Sequence, residues 1–164
     1  MTDNTADETT EEGVGADEGG VFDRFEEGQT AVTGGRTLTE ADVRNFAGVS
    51  GDLNHVHLDE ERMQGSTFGE PIVHGMLVLS VATGLVWQRR SPEVRDAVVA
   101  FYGIDRLRFR KPVFPGDTVH VETEVIETSA RPDGPGNGTV RYALDVVNQH
   151  DEVVISCETI SLFE

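Results

Sequence analysis

The sequence predicts an α+β domain in which an antiparallel sheet wraps around one long, buried helix. The segment PIVHGMLVLSVATGLVWQRR, residues 71–90, is apolar on nearly every face for about four helical turns, and such a helix has to be covered by other elements. Four segments of strand length follow it. Two of them alternate apolar and polar residues with a period of two, as in a sheet with one solvated face. These strands therefore supply the cover for the helix.

A shorter helix is predicted before the apolar one, over about residues 40–47. Thr39 is its expected N-cap, and Asp42 at the third helical position makes a shortened capping box. Gly48 and Gly51 are expected to end it. A loop should follow, and then a short helix over about 59–64.

The four predicted strands are joined by turn-forming sequences, FPGD at 114–117, RPDGPGNG at 131–138 and QHD at 149–151. Alternation places one set of side chains on the face that covers the helix. In the second strand and the third strand these are Val119, Val121, Thr123, Val125, Val140, Tyr142, Leu144 and Val146.

Length and charge limit the classes of function. The chain has 164 residues, enough for one domain, and a formal net charge of −17, which makes nucleic acid an unsuitable partner. Residues 1–20 hold seven acidic residues and no Lys or Arg, so we expect a disordered tail before a single domain over 21–164. That domain keeps 23 acidic against 13 basic residues, which favours a high-salt cytoplasm; an ordinary acidic protein is the alternative.

Cysteine use and hydropathy indicate the compartment. Cys157 is the single cysteine, so the chain can form neither an internal disulfide nor a cysteine-based zinc site. The first residues lack the pattern of a secretory signal, and polar residues and glycines interrupt the longest apolar segment. We expect a soluble, cytoplasmic protein without a membrane segment.

The densest polar cluster is SGDLNHVHLD, which holds Asp52, Asn54, His55, His57 and Asp59 between two predicted helices. A loop in this place can direct side chains into a cleft. Two interpretations stay open on local grounds. The cluster is either a solvated loop, in which Asp52 makes a turn and Asp59 caps the next helix, or a group of reacting side chains.

A second cluster, FGEPIVHGML, lies at the start of the apolar helix. Pro71 suits a first helical turn, and Gly75 would let a ligand atom approach backbone N–H groups at the positive end of the helix. Such a site stabilises a developing oxyanion. Gly75 is equally consistent with close packing, and His74 with a hydrogen-bonded core histidine.

Three segments in order, FAGVSGDLNHVHLDEE, FGEPIVHGMLVLS and LRFRKPVFPGDTV, resemble the MaoC-like dehydratases, the group that contains the (R)-specific enoyl-CoA hydratases. The resemblance covers about residues 25–162. It implies a hot-dog fold and a homodimer, with an acyl-CoA thioester bound near the subunit interface.

The resemblance also implies roles for individual residues. The catalytic aspartate and histidine fall on Asp52 and His57, and the asparagine between them falls on Asn54. The His-Gly pair falls on His74 and Gly75, whose N–H corresponds to the oxyanion donor for the thioester carbonyl.

Two positions depart from the family pattern. His55 replaces the usual proline, and Met63 replaces a small residue and is expected to alter the acyl pocket. The most basic stretch of the chain follows later, and its side chains either contact CoA phosphates or balance nearby acids on a solvated strand. It consists of Arg106, Arg108, Arg110 and Lys111.

Reversible syn addition of water to a trans-2-enoyl-CoA is therefore the predicted reaction, without cofactor or metal. Hydrolysis of the thioester and a non-catalytic acyl-CoA-binding subunit are the alternatives. A metal site is a further one, since His55 and His57 on an extended segment would direct two imidazoles to one side, with Asp52 or Asp59 as a third ligand.

Overall fold

The computed structural model describes residues 20–164, so the acidic tail predicted for residues 1–20 lies outside it apart from Gly20. Six antiparallel strands form one sheet in the order β1-β4-β5-β6-β3, and β2 also pairs with β4. The strands are β1 (Thr30–Val32), β2 (Arg36–Thr37), β3 (Val98–Phe109), β4 (Thr118–Ala130), β5 (Gly138–Asn148) and β6 (Val153–Phe163).

Within residues 20–164, five α-helices and one 3₁₀ turn accompany the sheet. The turn is Phe22–Arg24, and the helices are α1 (Glu40–Ser50), α2 (His55–Leu58), α3 (Glu60–Gln64), α4 (Gly75–Arg89) and α5 (Pro92–Asp96). None of these helices has the length and apolar character needed to cross a membrane.

The predicted architecture is confirmed, because α4 packs into the main core against the inward face of the sheet. Strand alternation has the expected register, with Val119 and Val121 fully buried on β4. From the helix, the buried members of this core are Leu77, Val78, Leu79, Val81, Ala82 and Leu85; from β4, β5 and β6 they are Val119, Val121, Leu144, Val146, Val154, Ile155 and Cys157.

The prediction that α4 is buried on all sides is wrong for a single chain. Met76 is 51% exposed and Trp87 is 44% exposed, and each lines an open cavity beside the edge strand β3. Trp87 lines a groove of about 660 Å³ with Val99 and Phe101 of the edge strand β3. One sheet is thus too narrow to cover the whole helix.

The capping box of α1 is confirmed: the Thr39 side chain accepts from the Asp42 N–H, and the Asp42 carboxylate accepts from the Thr39 N–H. Backbone and side-chain hydrogen bonds from Thr39 also lower the Asp42 pKa. The helix passes through Gly48 and ends at Ser50, because a helical glycine costs only about 1 kcal/mol. Gly51, with φ 75°, takes the left-handed conformation that terminates the helix.

Two local predictions near the second cluster need correction. The start of α4 is Gly75, so Pro71 precedes the helix instead of lying in its first turn. The residues between them lie outside the helix, because the Val73 N–H donates to the Val113 carbonyl at 2.7 Å and the Ile72 N–H to the Val56 carbonyl at 3.0 Å. Residues 55–58, expected in a loop, form the single turn of α2.

Candidate active site

Asp52 and His57 approach each other beside the first turn of α4. Asp52 follows the end of α1, His57 lies on α2, and His57 Nε2 is 3.9 Å from Asp52 Oδ2. The distance is too long for a direct hydrogen bond and suits a bridging water molecule. The His57 side chain is 11% exposed and that of Asp52 is 52% exposed, so solvent reaches the pair from the aspartate side.

The orientation of the His57 ring is set by a main-chain acceptor. His57 Nδ1 lies 2.7 Å from the carbonyl oxygen of Ile72, in the segment before α4. A carbonyl only accepts, so Nδ1 carries the proton of this bond. In the neutral ring Nε2 then keeps its lone pair, on the side that faces Asp52.

The two oxygens of Asp52 have different surroundings. Oδ1 accepts from the Asn54 N–H at 3.3 Å, which makes a local turn, while Oδ2 faces His57. Asn54 is the N-cap of α2, and its side chain accepts from the Val56 N–H. Asp59 caps α3 by accepting from the Arg62 N–H at 2.9 Å. The same loop therefore supplies helix caps, from Asn54 and Asp59, and the carboxylate that faces His57.

His74 is the N-cap residue of α4 and is 2% exposed. Its Nε2 donates to the main-chain carbonyl of Asp52 at 3.0 Å. The ring stacks on that of His57, with 3.7 Å between centroids and 27° between planes. His74 Nδ1 is buried and has no hydrogen-bond partner among residues 20–164.

Gly75 is the first residue of α4, so its N–H has no acceptor within the helix and lies at the positive end of the helix dipole. A Cβ at this position would lie 2.6 Å from Cε1 of Phe109. Both interpretations of this glycine are therefore compatible with the structure: it packs closely under an aromatic ring, and its N–H is free of any acceptor within the helix.

These residues line a cavity of about 580 Å³ whose other walls are mostly apolar. Of the predicted site residues, Asp52, His57, His74, Gly75, Arg110 and Lys111 line it. Asn54 supports it from the loop. Met63 is buried on α3 and Arg108 is exposed on β3, and neither lines this cavity.

The two basic side chains of the cavity differ in their partners. Lys111 Nζ forms an ion pair with Glu152 at 2.5 Å, and the hydrogen bond from Lys111 is the main reason that the Glu152 pKa is lowered. Arg110 Nε donates to Ser156 Oγ at 2.7 Å and makes no ion pair with a carboxylate within residues 20–164. Arg110 also acts electrostatically on Asp145, where it opposes the rise in pKa that burial causes. Its guanidinium can therefore accept an anionic ligand without breaking a direct ion pair.

The metal alternative depended on His55 and His57 in an extended segment, and this premise is wrong. They lie on the helical turn α2, where residues two apart do not face each other. Ligand atoms of Asp52, His57 and His74 do lie within 4.8 Å of one another. However, an imidazole binds a metal in its ring plane, and two nearly parallel stacked rings do not share such a point close to both. The geometry favours proton transfer.

Two partners of this site, the Ile72 carbonyl and the Phe109 ring, were not predicted from the sequence. A main-chain acceptor leaves no mark in the residue type, so the Ile72 contact had no signal. Phe109 lies between Arg108 and Arg110 in the basic stretch. An apolar residue among these charges could have indicated that its ring packs against the site, as it does next to Gly75.

Comparison with known proteins decides the family. The sequence model of the MaoC like domain matches residues 24–148. The chain belongs to the MaoC-like domain family. The MaoC-like domain is 45% identical over 100 residues to Protein MaoC of Klebsiella aerogenes. The matched region covers 61% of this chain and 29% of that protein. It is 40% identical over 95 residues to the (R)-specific enoyl-CoA hydratase of Aeromonas caviae, covering 58% of this chain and 66% of the hydratase.

Solved structures confirm the fold of this MaoC-like domain. A monoamine oxidase regulatory protein from Archaeoglobus fulgius superposes with a TM-score of 0.78 at 36% identity, covering 87% of this chain and 92% of that one. A Mycobacterium tuberculosis protein described as a double hotdog fold superposes with a TM-score of 0.74 at 22% identity, covering 87% of this chain and 43% of that one. The domain therefore has the hot-dog fold that the resemblance implied.

Proposed function

We propose that this MaoC-like domain is an (R)-specific enoyl-CoA hydratase, which also dehydrates 3-hydroxyacyl-CoA in the reverse direction. The observation that carries the proposal is the 3.9 Å gap between His57 Nε2 and Asp52 Oδ2, in the cavity that Gly75 also lines. The similarity to the Aeromonas caviae hydratase supports it.

One water molecule held between Asp52 and His57 supplies the hydroxyl group and the proton that are added to the alkene. Its oxygen bonds to C3 of the enoyl thioester while the residue pair removes one of its protons, and the pair returns a proton to C2. Hydroxyl and proton come from the same side of the alkene, so the addition is syn. Negative charge that develops on the thioester oxygen is stabilised by the Gly75 N–H, and one such donor contributes about 3 kcal/mol.

The lone pair on His57 Nε2 is the acceptor available to the water proton, because Nδ1–H is engaged with the Ile72 carbonyl. As the proton arrives, that same carbonyl bond holds the ring in place. The carboxylate of Asp52 stabilises the imidazolium and orients the second hydrogen of the water. Asn54 keeps the carboxylate in this orientation through its main-chain N–H.

Coenzyme A is the proposed acyl carrier because Arg110 and Lys111 line the same cavity in an otherwise acidic chain. Their charges suit the phosphates of the coenzyme, and Arg110 has no competing ion pair among the described residues. The cytoplasm is the proposed compartment, since it supplies acyl-CoA and keeps the lone Cys157 reduced.

A homodimer is the proposed assembly. The edge strand β3 carries Phe101 and Tyr102, each more than half exposed, next to the groove formed with Trp87 of α4. Pairing of β3 with its copy across a two-fold axis would cover both the strand edge and this apolar surface. Sedimentation in molar KCl should show a dimer or a multiple of it; a fully active monomer would contradict the assembly.

Chiral analysis of the product tests the reaction. Purified protein is incubated with crotonyl-CoA, and the 3-hydroxybutyryl-CoA that forms is resolved into its enantiomers. We expect the (R) product. Formation of the (S) product would overturn the stereochemical assignment, release of free CoA without hydration would favour a thioesterase, and absence of both with bound acyl-CoA would favour a binding subunit.

A further inference from the structure

The His74 side chain contacts both members of the catalytic pair, although the proposed chemistry gives it no proton to transfer. It reaches the main chain of Asp52 with one ring nitrogen and the ring of His57 with one ring face. A single buried ring thus joins the first turn of α4, the loop after α1 and the helical turn α2.

The contact to Asp52 determines where the His74 proton lies. The acceptor is a carbonyl, so Nε2 carries the hydrogen, and in the neutral ring Nδ1 is an acceptor. The other main-chain bond at Asp52 is local, from its N–H to Ser50 Oγ at 3.2 Å. The His74 bond therefore ties the aspartate to an element distant in sequence, and this tie sets its position relative to α4.

The contact to His57 restricts the catalytic ring. The Ile72 carbonyl holds one edge of the His57 ring, and the His74 ring covers one of its faces at 3.7 Å. Phe46 packs against His74 in turn, at 5.1 Å and 59° between ring planes. Rotation of the His57 ring away from Asp52 would require the two rings behind it to move as well.

Packing alone does not account for a histidine at this position. His74 Nδ1 is a buried acceptor with no donor among residues 20–164. Such a group costs about 1–3 kcal/mol, and a leucine or methionine would fill the space without this penalty. A need for both the Nε2–H donor and the flat ring explains the residue type.

We propose that His74 is a positioning residue for the hydration reaction. Its Nε2–H holds the Asp52 main chain and its ring face holds the His57 imidazole, so that Oδ2 and Nε2 face the same water molecule. The expected effect of His74 on turnover rests on the proposed function. Its effect on the positions of Asp52 and His57 rests on geometry alone.

Two substitutions separate the two contacts. His74→Phe keeps an aromatic ring for the stack but removes the donor, whereas His74→Gln keeps an N–H donor at similar reach but removes the ring. In each variant we expect kcat to fall about 10- to 100-fold, because small misplacement of a reacting group has effects of this size, with KM changed by less than about twofold. Unchanged kcat in either folded variant would overturn the need for the contact that it lacks.

Val81→Ala is the matched control for loss of packing. Val81 is buried on the same helix and does not line the catalytic cavity. The control should lower the melting temperature and leave kcat unchanged. If kcat in Val81→Ala falls as far as in the His74 variants at equal loss of stability, the role of His74 is structural and the proposal is wrong.

Nitrogen-15 NMR of the histidine rings tests the positioning without reference to activity. In the unsubstituted protein we expect the Nε2–H tautomer for His74 and the Nδ1–H tautomer for His57. In His74→Phe we expect the His57 signals to broaden or shift to a mixture of tautomers. An Nδ1–H tautomer of His74 in the unsubstituted protein would overturn the proposal even if both variants fail to fold.

The two measurements also distinguish this inference from the proposed function. A protein that hydrates no enoyl-CoA but whose His57 tautomer depends on His74 would refute the reaction and retain the positioning role. A protein that produces (R)-3-hydroxybutyryl-CoA with kcat and His57 signals insensitive to both His74 substitutions would retain the reaction and refute the positioning role.

Discussion

The two ends of α4 bury polar side chains among rings in opposite ways. At the first turn, His74 stacks on His57 and the pair opens into the cavity that Asp52 also lines. After the last turn, the Arg90 guanidinium lies over the rings of Tyr142 at 5.6 Å and Phe163 at 5.3 Å. Burial lowers the Arg90 pKa and raises that of Tyr142 to about 12. At the first turn, the His57 ring borders an open cavity. At the last turn, the Arg90 side chain packs against aromatic rings.

The helix dipole gives a physical reason for this difference. Unpaired N–H groups make the first turn of α4 positive, which suits a developing oxyanion at Gly75. Unpaired carbonyls make the last turn negative, which suits the cation of Arg90. Exchanging the two functions between the ends would place each charge against an unfavourable potential.

The largest expected effect is at the first turn of α4, where we propose that catalysis takes place. Asp52→Asn and His57→Gln keep the side-chain shapes but remove proton transfer, so each should lower kcat by about two to four orders of magnitude. The double variant should be scarcely worse than either single one, since groups that share one water act as a unit. His150→Gln, in the exposed turn between β5 and β6, is the control for loss of a histidine. Steady-state kinetics with near wild-type turnover in either variant would contradict the assignment.

Substitution of Gly75 should have the next largest effect. In Gly75→Ala the added Cβ meets the Phe109 ring at 2.6 Å, and the shift that relieves the clash moves the oxyanion donor. We expect kcat to fall about 10- to 100-fold. Phe109→Ala in the same chain should restore part of the loss. Gly48→Ala, in α1 with no atom within 4 Å of its Cβ, should instead raise stability by about 0.5–1 kcal/mol.

At the other end of α4, substitution should change stability without changing chemistry. Arg90→Met removes the cation over two rings, and chemical denaturation should show a loss of about 1–2 kcal/mol. Turnover of crotonyl-CoA by the folded variant should match that of the unsubstituted protein. A kcat as low as that of His57→Gln would show that the two ends are not functionally distinct.

Salt should stabilise the whole domain rather than either end. The acidic excess repels itself in dilute buffer, whereas at about 1 M KCl the Debye length falls to about 3 Å. We expect the melting temperature to rise clearly between these conditions. Arg90→Met should show a similar rise, because the Arg90 side chain packs among aromatic rings and its removal leaves the acidic excess in place. An unchanged melting temperature would count against adaptation to a saline cytoplasm.

Alkaline pH should destabilise the packed end of α4 through Tyr142. The Tyr142 pKa is raised by burial from 10.0 to about 12, so between these values the unfolded state releases a proton that the folded state retains. Stability should therefore fall as pH rises from about 10 to about 12. Tyr142→Phe should show a shallower fall in urea midpoints over that range. An identical fall in both proteins would mean that Tyr142 does not contribute.

The elements that were predicted correctly have strong local signals. Period-two alternation located β4 and β5, and the Thr39–Asp42 pair located the start of α1. The turn α2 was missed because four residues contain too few positions for a helical period. The start of α4 was misplaced at Pro71 because the non-helical conformation of the residues after it depends on bonds to Val113 and Val56, which are distant in sequence.

The candidate site divides in the same way. Types and spacing of residues singled out Asp52, His57 and Gly75, which all line one cavity. The tautomer of His57 and the stacking of His74 depend on a main-chain carbonyl and on ring orientation, which residue types do not encode. The exposed side of α4 was also missed. In a sequence, apolar residues on an exposed surface cannot be distinguished from apolar residues buried within the chain.

The pairing of β3 with β6 has a consequence for biosynthesis. A ribosome completes β3 at Phe109 before it has made β4 and β5, while β6 does not begin until Val153. During that interval β4 and β5 can form a hairpin, but the main-chain N–H and C=O groups of β3 that pair with β6 have no partner strand. The nascent domain is therefore most vulnerable to aggregation, and most in need of a chaperone, in the period between synthesis of these two strands.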